Sequence, residues 1–275
     1  MAIKQRAGSG PGTEHSTSES SDRGGISRRT YLKGAVATGL TAGLAGCINI
    51  NERFESSVVG LDPQWATSAA YVSADHRPTN STYNNSGAYG SINVTAVSHA
   101  VTYEKEQTAS GLTPAIGVLT TPIPTFAGQS VEGWNPFVGT SIQDLVEGEN
   151  AKPLLEGLGI DIGGNVNWEV GPTHEVLDPE GMTLMGSPVE NYVLTHGVLR
   201  TGGTLRAVVL LIARVKGTDP KEVLVMGSSV ERIVGEGVGS ESLRDEYAQP
   251  MQDAFSSPSE NLQIIDPETD LAMFS

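Results

Sequence analysis

The chain has 275 residues and a formal net charge of -15 at pH 7, with 38% hydrophobic residues, 5% aromatic residues and one cysteine. This length allows one generous domain, or one domain with tails. So acidic a balance excludes a charge-driven surface for nucleic acid or anionic headgroups, and one cysteine excludes an intrachain disulfide framework and a paired-cysteine metal site.

The N-terminal segment has the pattern of an export signal. Arg28 and Arg29 precede a soft apolar core at 35–45, which is typical of the twin-arginine route. This core is shorter than the roughly 20 apolar residues that span a bilayer. It ends at Leu44-Ala45-Gly46-Cys47, which resembles a lipobox, where a peptidase cuts before the cysteine and its sulfur carries lipid. We predict a twin-arginine lipoprotein signal peptide over 1–46; an ordinary N-terminal helix is the alternative.

This signal predicts partners and a location. Arg28 and Arg29 would engage the twin-arginine export machinery, and a lipid on Cys47 would hold the protein in the membrane. The mature protein is then exported and lipid-anchored at the outer face of the cytoplasmic membrane. Residues 47–65 have no clear period, and we predict that they form the lipid anchor and a tether.

Cleavage before Cys47 makes the remaining chain more acidic. Residues 1–46 carry six basic and three acidic side chains, a net +3, so the other 229 residues carry -18. This charge fits a protein that works in concentrated salt, where a Debye length of about 3 Å at 1 M screens self-repulsion. An acidic protein from a low-salt environment is the alternative.

A polar loop is predicted from Tyr71 to Ser91, because the segment is rich in Asn, Ser and Thr without an apolar period. Three N-x-[ST] patterns begin at Asn80, Asn84 and Asn93. They are the candidate N-glycosylation sites of an exported chain.

The next segments alternate strand and helix patterns. Residues 92–104 and 112–119 are predicted strands. Thr140 or Ser141 is placed to cap a helix with an apolar face. A second short helix is predicted over 151–158.

A meander of strands is predicted next. Its short candidates are 166–170, 174–177, 182–185 and 222–226, and its long candidates are 189–200 and 205–215. Gly202 and Gly203 are typical of a two-residue hairpin turn between the long pair. The strand at 205–215 is apolar on both faces, which predicts a central strand covered on both sides.

The predicted fold is α+β: an antiparallel meandering sheet with one or two short helices packed on a face. The single domain is assigned to 66–235, between a disordered N-terminal signal region and a mobile C-terminal tail. Residues 236–275 are predicted to be this acidic flexible tail, with a short helix near 241–248 and a strand at 262–265 as its candidate elements.

One acidic cluster with a histidine is the nearest approach to a chemical site. Carboxylates beside a histidine could hold a hard cation or run acid/base chemistry. The favoured interpretation is a type I turn at Asp178-Pro179-Glu180-Gly181 surrounded by solvated charge. No catalytic residue, metal site or cofactor is assigned, because the chain has no Gly-x-Ser-x-Gly, phosphate-loop or His-Glu-x-x-His motif. The cluster comprises Glu169, His174, Glu175, Asp178 and Glu180.

Three features together resemble a family of uncharacterised lipoproteins from halophilic archaea. They are the signal, the motif Ser130-Val131-Glu132-Gly133-Trp134-Asn135-Pro136, and Leu184-Met185-Gly186 before the long hairpin. The likeness spans roughly residues 100–230 and the signal. It implies location, a two-chain lipid on Cys47 and salt adaptation, and it implies no catalytic residue.

The predicted function is therefore a non-catalytic, lipid-anchored domain that binds a surface ligand or protein partner, or supports the cell envelope. A cell-surface hydrolase with a site assembled from dispersed residues is the alternative, because triads are assembled by the fold. A solute-capturing transporter component is disfavoured, since the chain lacks two alternating α/β lobes.

Overall fold

A computed structural model of the chain describes residues 48–87, 90–109, 111–126, 129–130, 133, 135–216 and 222–274. Its strands are β1 (Ile48–Glu55), β2 (Val59–Leu61), β3 (Ser73–Gly87), β4 (Gly90–Glu104), β5 (Thr113–Pro122), β6 (Thr125–Phe126), β7 (Gln129–Ser130), β8 (Trp168–Val176), β9 (Thr183–Leu184), β10 (Ser187–Pro188), β11 (Asn191–Thr201), β12 (Thr204–Lys216), β13 (Glu222–Val234) and β14 (Leu262–Ile264). Its helices are α1 (Pro63–Ser68), α2 (Pro136–Gly139), α3 (Ile142–Glu147), α4 (Ala151–Gly157), α5 (Glu241–Glu260) and α6 (Pro267–Asp270), followed by a 3-10 helix at Ala272–Phe274.

One sheet holds the long strands in the order β3, β4, β5, β13, β12, β11, β8, and β1 also pairs with β4. Its pairs are antiparallel apart from β1 with β4, which is parallel. β1 and β5 share one edge of β4, because β1 pairs with residues 90–97 and β5 pairs with residues 99–104. The α+β prediction is confirmed, and β8, β11, β12 and β13 form the predicted antiparallel meander.

β12 has a core on each of its faces. Ala207, Val209 and Leu211 belong to one buried cluster, and Val208 and Leu210 belong to the other. All five side chains are at most 1% exposed. Successive strand residues point to opposite faces, so the double apolar pattern requires cover on both sides. The prediction of a central strand is confirmed.

Helices α2, α3 and α4 cover one face of the sheet. The Ser141 hydroxyl accepts a hydrogen bond from the Asp144 amide and caps α3, as predicted. The end of α4 rests on the sheet where Gly117 of β5 and Gly227 of β13 are paired. A Cβ at Gly117 would clash with the Gly157 carbonyl oxygen and the backbone of Leu158. The glycine pair therefore sets how closely α4 approaches the sheet.

Helices α1 and α5 cover the other face, so the prediction of a mobile tail beyond residue 235 is wrong. Leu243, Met251 and Phe255 of α5 are buried in the core that also contains the β12 side chain Leu211. β14 extends this cover by pairing with β2. Burial of these apolar side chains stabilises the C-terminal segment as part of the domain.

The tether and the polar loop predicted between residues 47 and 91 are also corrected. Residues 48–55 form β1 in the main sheet, and residues 73–87 form β3, which pairs with the whole of β4. β3 is an edge strand whose exposed residues are mostly polar, so its sequence has no apolar alternation. Backbone pairing with β4 orders it without an apolar face.

The two predicted turns have different outcomes. Gly202 and Gly203 both have positive φ, of 55° and 87°, and close the β11–β12 hairpin as predicted. The turn near Asp178 lies one residue later than predicted, because the Met182 amide donates to the Pro179 carbonyl. Gly181 then occupies the third position with φ of 76°, which is the type II arrangement.

Arg214 joins α2 to the sheet from a buried position, with 8% of its surface exposed. Its guanidinium donates to the carbonyl oxygens of Phe137 and Thr140, at 3.0 and 2.7 Å, and to the side chain of Asn191. Burial lowers the pKa of this guanidinium. The contacts satisfy carbonyls at the end of α2 that have no helical donor.

Candidate functional site

An apolar cleft opens on the face of the sheet that α1 and α5 cover. Residues of α1 and of the segment after it form one wall, residues of α5 form another, and β5 and β13 contribute the floor. Its volume is about 450 Å³, within the roughly 300–1,000 Å³ of ligand pockets. The cleft is lined by Trp65, Ala69, Tyr71, Lys105, Thr108, Leu112, Pro114, Ala115, Ile116, Ser228, Val230, Tyr247, Pro250, Met251, Ala254, Phe255, Ser257 and Pro258.

Aromatic rings make the α1 wall rigid. Trp65 and Tyr71 have ring centroids 6.1 Å apart, and the edge of Tyr71 meets the Tyr103 ring at 6.0 Å. The Tyr103 hydroxyl in turn accepts a hydrogen bond from the Leu61 amide at 3.0 Å. Burial raises the pKa of the Tyr71 hydroxyl, so this group stays neutral at physiological pH. The wall is therefore uncharged and held in place from behind.

Polar groups interrupt the apolar lining, among them a lysine ammonium and a serine hydroxyl. The Lys105 ammonium lies 4.8 Å from the centroid of the Tyr71 ring, which is a cation–π distance. Ser228 adds a half-buried hydroxyl from β13 on the floor. The cleft thus has an apolar interior with one cation, which is the pattern of a site that orients an amphiphilic ligand.

The segment that carries Lys105 is fixed by backbone hydrogen bonds. The Lys105 amide donates to the Pro114 carbonyl at 3.1 Å, and the Thr108 amide donates to the Leu112 carbonyl at 2.9 Å. The Thr108 hydroxyl also accepts from the Leu112 amide. These bonds fix the backbone from which the Lys105 side chain reaches the cleft.

A smaller cavity of about 290 Å³ lies on the opposite face, between β3, β4, β5 and the helices α2 and α4. The Ser98 hydroxyl bonds the Thr121 hydroxyl at 2.8 Å, and the Asn135 amide donates to Thr121 and to the Pro122 carbonyl. Its buried polar groups thus bond chiefly to one another. This internal pairing makes it a weaker candidate than the apolar cleft.

The predicted export and anchoring residues Arg28, Arg29 and Cys47 lie outside the described residues. The candidate glycosylation sites all lie on the β3–β4 hairpin. Asn80 and Asn84 are exposed on β3, and Asn84 faces Asn93 of β4 in the register. Asn93 is half-buried, and its Oδ1 has no hydrogen-bond partner among the described residues.

The structure disperses the acidic cluster around His174. Glu169 pairs with Arg200 at 3.0 Å, which lowers the pKa of this carboxyl. The Asp178 carboxylate accepts from the Glu180 amide, within the turn. Among the described residues, no group of three or more His, Cys, Asp or Glu side chains is placed to hold a metal ion.

His174 instead joins two residues from outside that cluster. Its Nε2 lies 2.9 Å from the Glu147 carboxylate and its Nδ1 lies 3.0 Å from the Thr195 hydroxyl. This acid–base–hydroxyl order resembles a catalytic triad. Thr195 is 0% exposed, however, so no substrate can reach its hydroxyl from solvent. The arrangement joins α3 to β8 and β11.

The remaining strand histidines are also engaged by neighbours. His99 Nδ1 lies 3.0 Å from His76 Nε2, and His99 Nε2 lies 3.4 Å from the Glu55 carboxylate. Burial lowers the pKa of both imidazoles. His196 Nδ1 bonds the Ser240 hydroxyl at 2.8 Å, with both residues buried.

Sequence reasoning missed the cleft because its walls come from segments predicted to be loop and tail. Tyr71 and Lys105 flank the β3–β4 hairpin, while Met251 and Phe255 lie on α5. One signal was available: Leu243, Tyr247, Met251 and Phe255 recur every four residues, which is a helical period. Pro250 and Pro258 obscured it, because proline usually ends a helix.

These features define an α+β domain with a preformed apolar cleft. No protein-family model and no curated protein sequence matches the chain. Among solved structures the chain is similar to LpqN, which is involved in cell envelope biogenesis of Mycobacterium tuberculosis. The identity is 10% and the TM-score 0.25, over 70% of this chain and 92% of that chain. This likeness is too low to indicate what the chain binds.

None of the helices formed by the described residues is long and apolar enough to cross a membrane.

Proposed function

We propose that the chain is an exported, lipid-anchored protein of the outer face of the cytoplasmic membrane, and that its apolar cleft binds an alkyl ligand without catalysis. The cleft is the observation that carries the binding function, because its volume and apolar lining are those of a ligand site. Export and anchoring rest on the sequence at Arg28, Arg29 and Cys47. The net charge of -18 beyond the signal supports work in high salt.

The anchor and the cleft lie at opposite ends of β4 in this proposal. Ile48, the residue after Cys47, pairs with Gly90 at the start of β4, whereas Lys105 follows its end at Glu104. The 15 residues of β4 rise about 3.3 Å each and span about 45 Å. We therefore place the cleft away from the strand end that adjoins the proposed anchor.

Blocking the cleft should weaken binding of a neutral apolar dye. We expect Ala254→Trp to weaken binding of N-phenyl-1-naphthylamine at least tenfold, because the indole would fill space that Ala254 leaves open on the α5 wall. The measurement is dye fluorescence with the purified full chain carrying Cys47→Ser, which removes the lipid. High salt is kept throughout.

Ser256→Trp is the matched control for this substitution. Ser256 is exposed on the same helix and does not line the cleft, so this variant should bind the dye as the parent chain does. Equal binding by the Ala254→Trp and Ser256→Trp variants would show that the dye binds elsewhere. A parent chain that binds no dye would refute the proposed function.

The anchoring part of the proposal has its own test. We expect Cys47→Ser to move the protein from membranes into the medium or leave it unprocessed, and Arg28→Lys with Arg29→Lys to stop export. Arg23→Lys makes the same chemical change outside the motif and should leave export unaffected. The measurement is the distribution between cells, membranes and medium, with the intact mass of each species. Retention of Cys47→Ser on membranes at the parent level would mean that another segment anchors the protein.

A further inference from the structure

We infer that the ligand of the cleft is a single-chain amphiphile with an anionic carboxylate head, which Lys105 binds while the alkyl chain lies between α1 and α5. This inference rests on the proposed function and specifies its ligand. It is based on the lack of a carboxylate partner for Lys105, the cation that lines the cleft, among the described residues.

Lys105 forms no ion pair with any carboxylate among the described residues. Its ammonium lies over the face of the Tyr71 ring, 4.8 Å from the centroid. Arg232 is a useful contrast, since it lies over the Tyr247 ring near the other wall but is paired with Glu246 at 3.1 Å. Lys152 on α4 is likewise paired with Glu156 at 3.3 Å. Lys105 therefore differs from these two cations in having no carboxylate partner within the described part of the chain.

The surroundings of Lys105 favour an ion pair with the anionic head of a ligand. The side chain is half-buried beside apolar walls, so an ion pair formed there is less screened than one on the open surface. Tyr71 holds the ammonium in place before the ligand arrives, which lowers the ordering cost of binding. A carboxylate accepts hydrogen bonds from an ammonium, and such charge-assisted bonds are the stronger class.

The apolar part of the cleft suits one alkyl chain. Leu112, Ile116, Met251 and Phe255 line it, and none of the described lining residues carries a carboxylate. Methionine and aromatic side chains adapt well to a flexible chain. Thr108, Ser228 and Ser257 are further polar residues of the lining.

The proposed lipid on Cys47 is not the occupant. About 45 Å of strand separates the start of β4 from Lys105, whereas an acyl chain reaches about 15 Å, half the hydrocarbon thickness of a bilayer. The ligand is therefore a separate molecule.

The test compares a carboxylate and an alcohol of equal chain length. Octanoate and 1-octanol are each used to displace N-phenyl-1-naphthylamine from the full chain carrying Cys47→Ser, in about 1 M KCl. At this salt the Debye length is about 3 Å, so the net negative charge does not repel octanoate and only contact pairs contribute. We expect Lys105→Met to weaken octanoate about tenfold, and to change 1-octanol by less than about twofold.

Two further variants complete the test. Lys105→Arg keeps the cation and should retain octanoate binding within about threefold of the parent. Lys152→Met removes a lysine from the opposite face and should change neither ligand. Unchanged octanoate binding by Lys105→Met, or equal losses for both ligands, would overturn the inference while the proposed function stands. Failure of the dye and of both ligands to bind the parent chain would refute the proposed function itself.

Discussion

Gly117→Val should lower the free energy of unfolding by about 3 kcal/mol or more, at the upper end of the cost of overpacking a core. Any Cβ at this position would overlap the Gly157 carbonyl oxygen and the Cα of Leu158. These atoms belong to the end of α4, whose backbone cannot move without losing the buried contacts of Leu154 and Leu155. The higher strand propensity of valine is worth at most about 1 kcal/mol, so the clash decides the sign.

Gly171→Val is the matched control for this prediction. Gly171 also lies within a strand, but a Cβ there meets nothing within 4 Å. Its effect should lie within about 0.5 kcal/mol of zero. Urea unfolding in high salt measures both variants. Equal stability of the two would mean that α4 does not rest on the glycine pair as described.

Phe255→Ala should destabilise the protein by about 3–5 kcal/mol. Phe255 is 1% exposed, and its ring lies 5.6 Å from that of Tyr192 on β11. The substitution leaves a cavity between α5 and the sheet, because β11 and β12 cannot collapse to fill it. The result measures whether residues 241–260 stabilise the domain or form a peripheral tail.

Ser256→Ala is the control, since Ser256 is the next residue on the same helix and is exposed. It should change the unfolding midpoint in urea by the equivalent of less than about 0.5 kcal/mol. If Phe255→Ala lowers the free energy of unfolding by less than about 1 kcal/mol, the result would support the mobile tail predicted from the sequence. A loss in the expected range would show that the C-terminal helix is part of the core.

The candidate site shows where sequence reasoning ends. Ile116 of the cleft floor lies on a predicted strand, because apolar strand patterns depend on local periodicity. Tyr71 and Lys105 come from a segment without such a period, and Met251 lies on a helix interrupted by proline. Their convergence depends on how α1 and α5 pack on the same face of the sheet, which no local pattern encodes.

The sequence by itself determined the α+β class, the central position of β12, the capped helix α3 and the Gly202–Gly203 hairpin. Each depends on interactions between residues close in the chain or on the two-residue period of a strand. Only the tertiary structure decided that β3 is a strand, that β1 is parallel to β4, and that α5 covers the second face. Those features depend on long-range backbone pairing and on burial between distant segments, where partner choice outweighs local propensity.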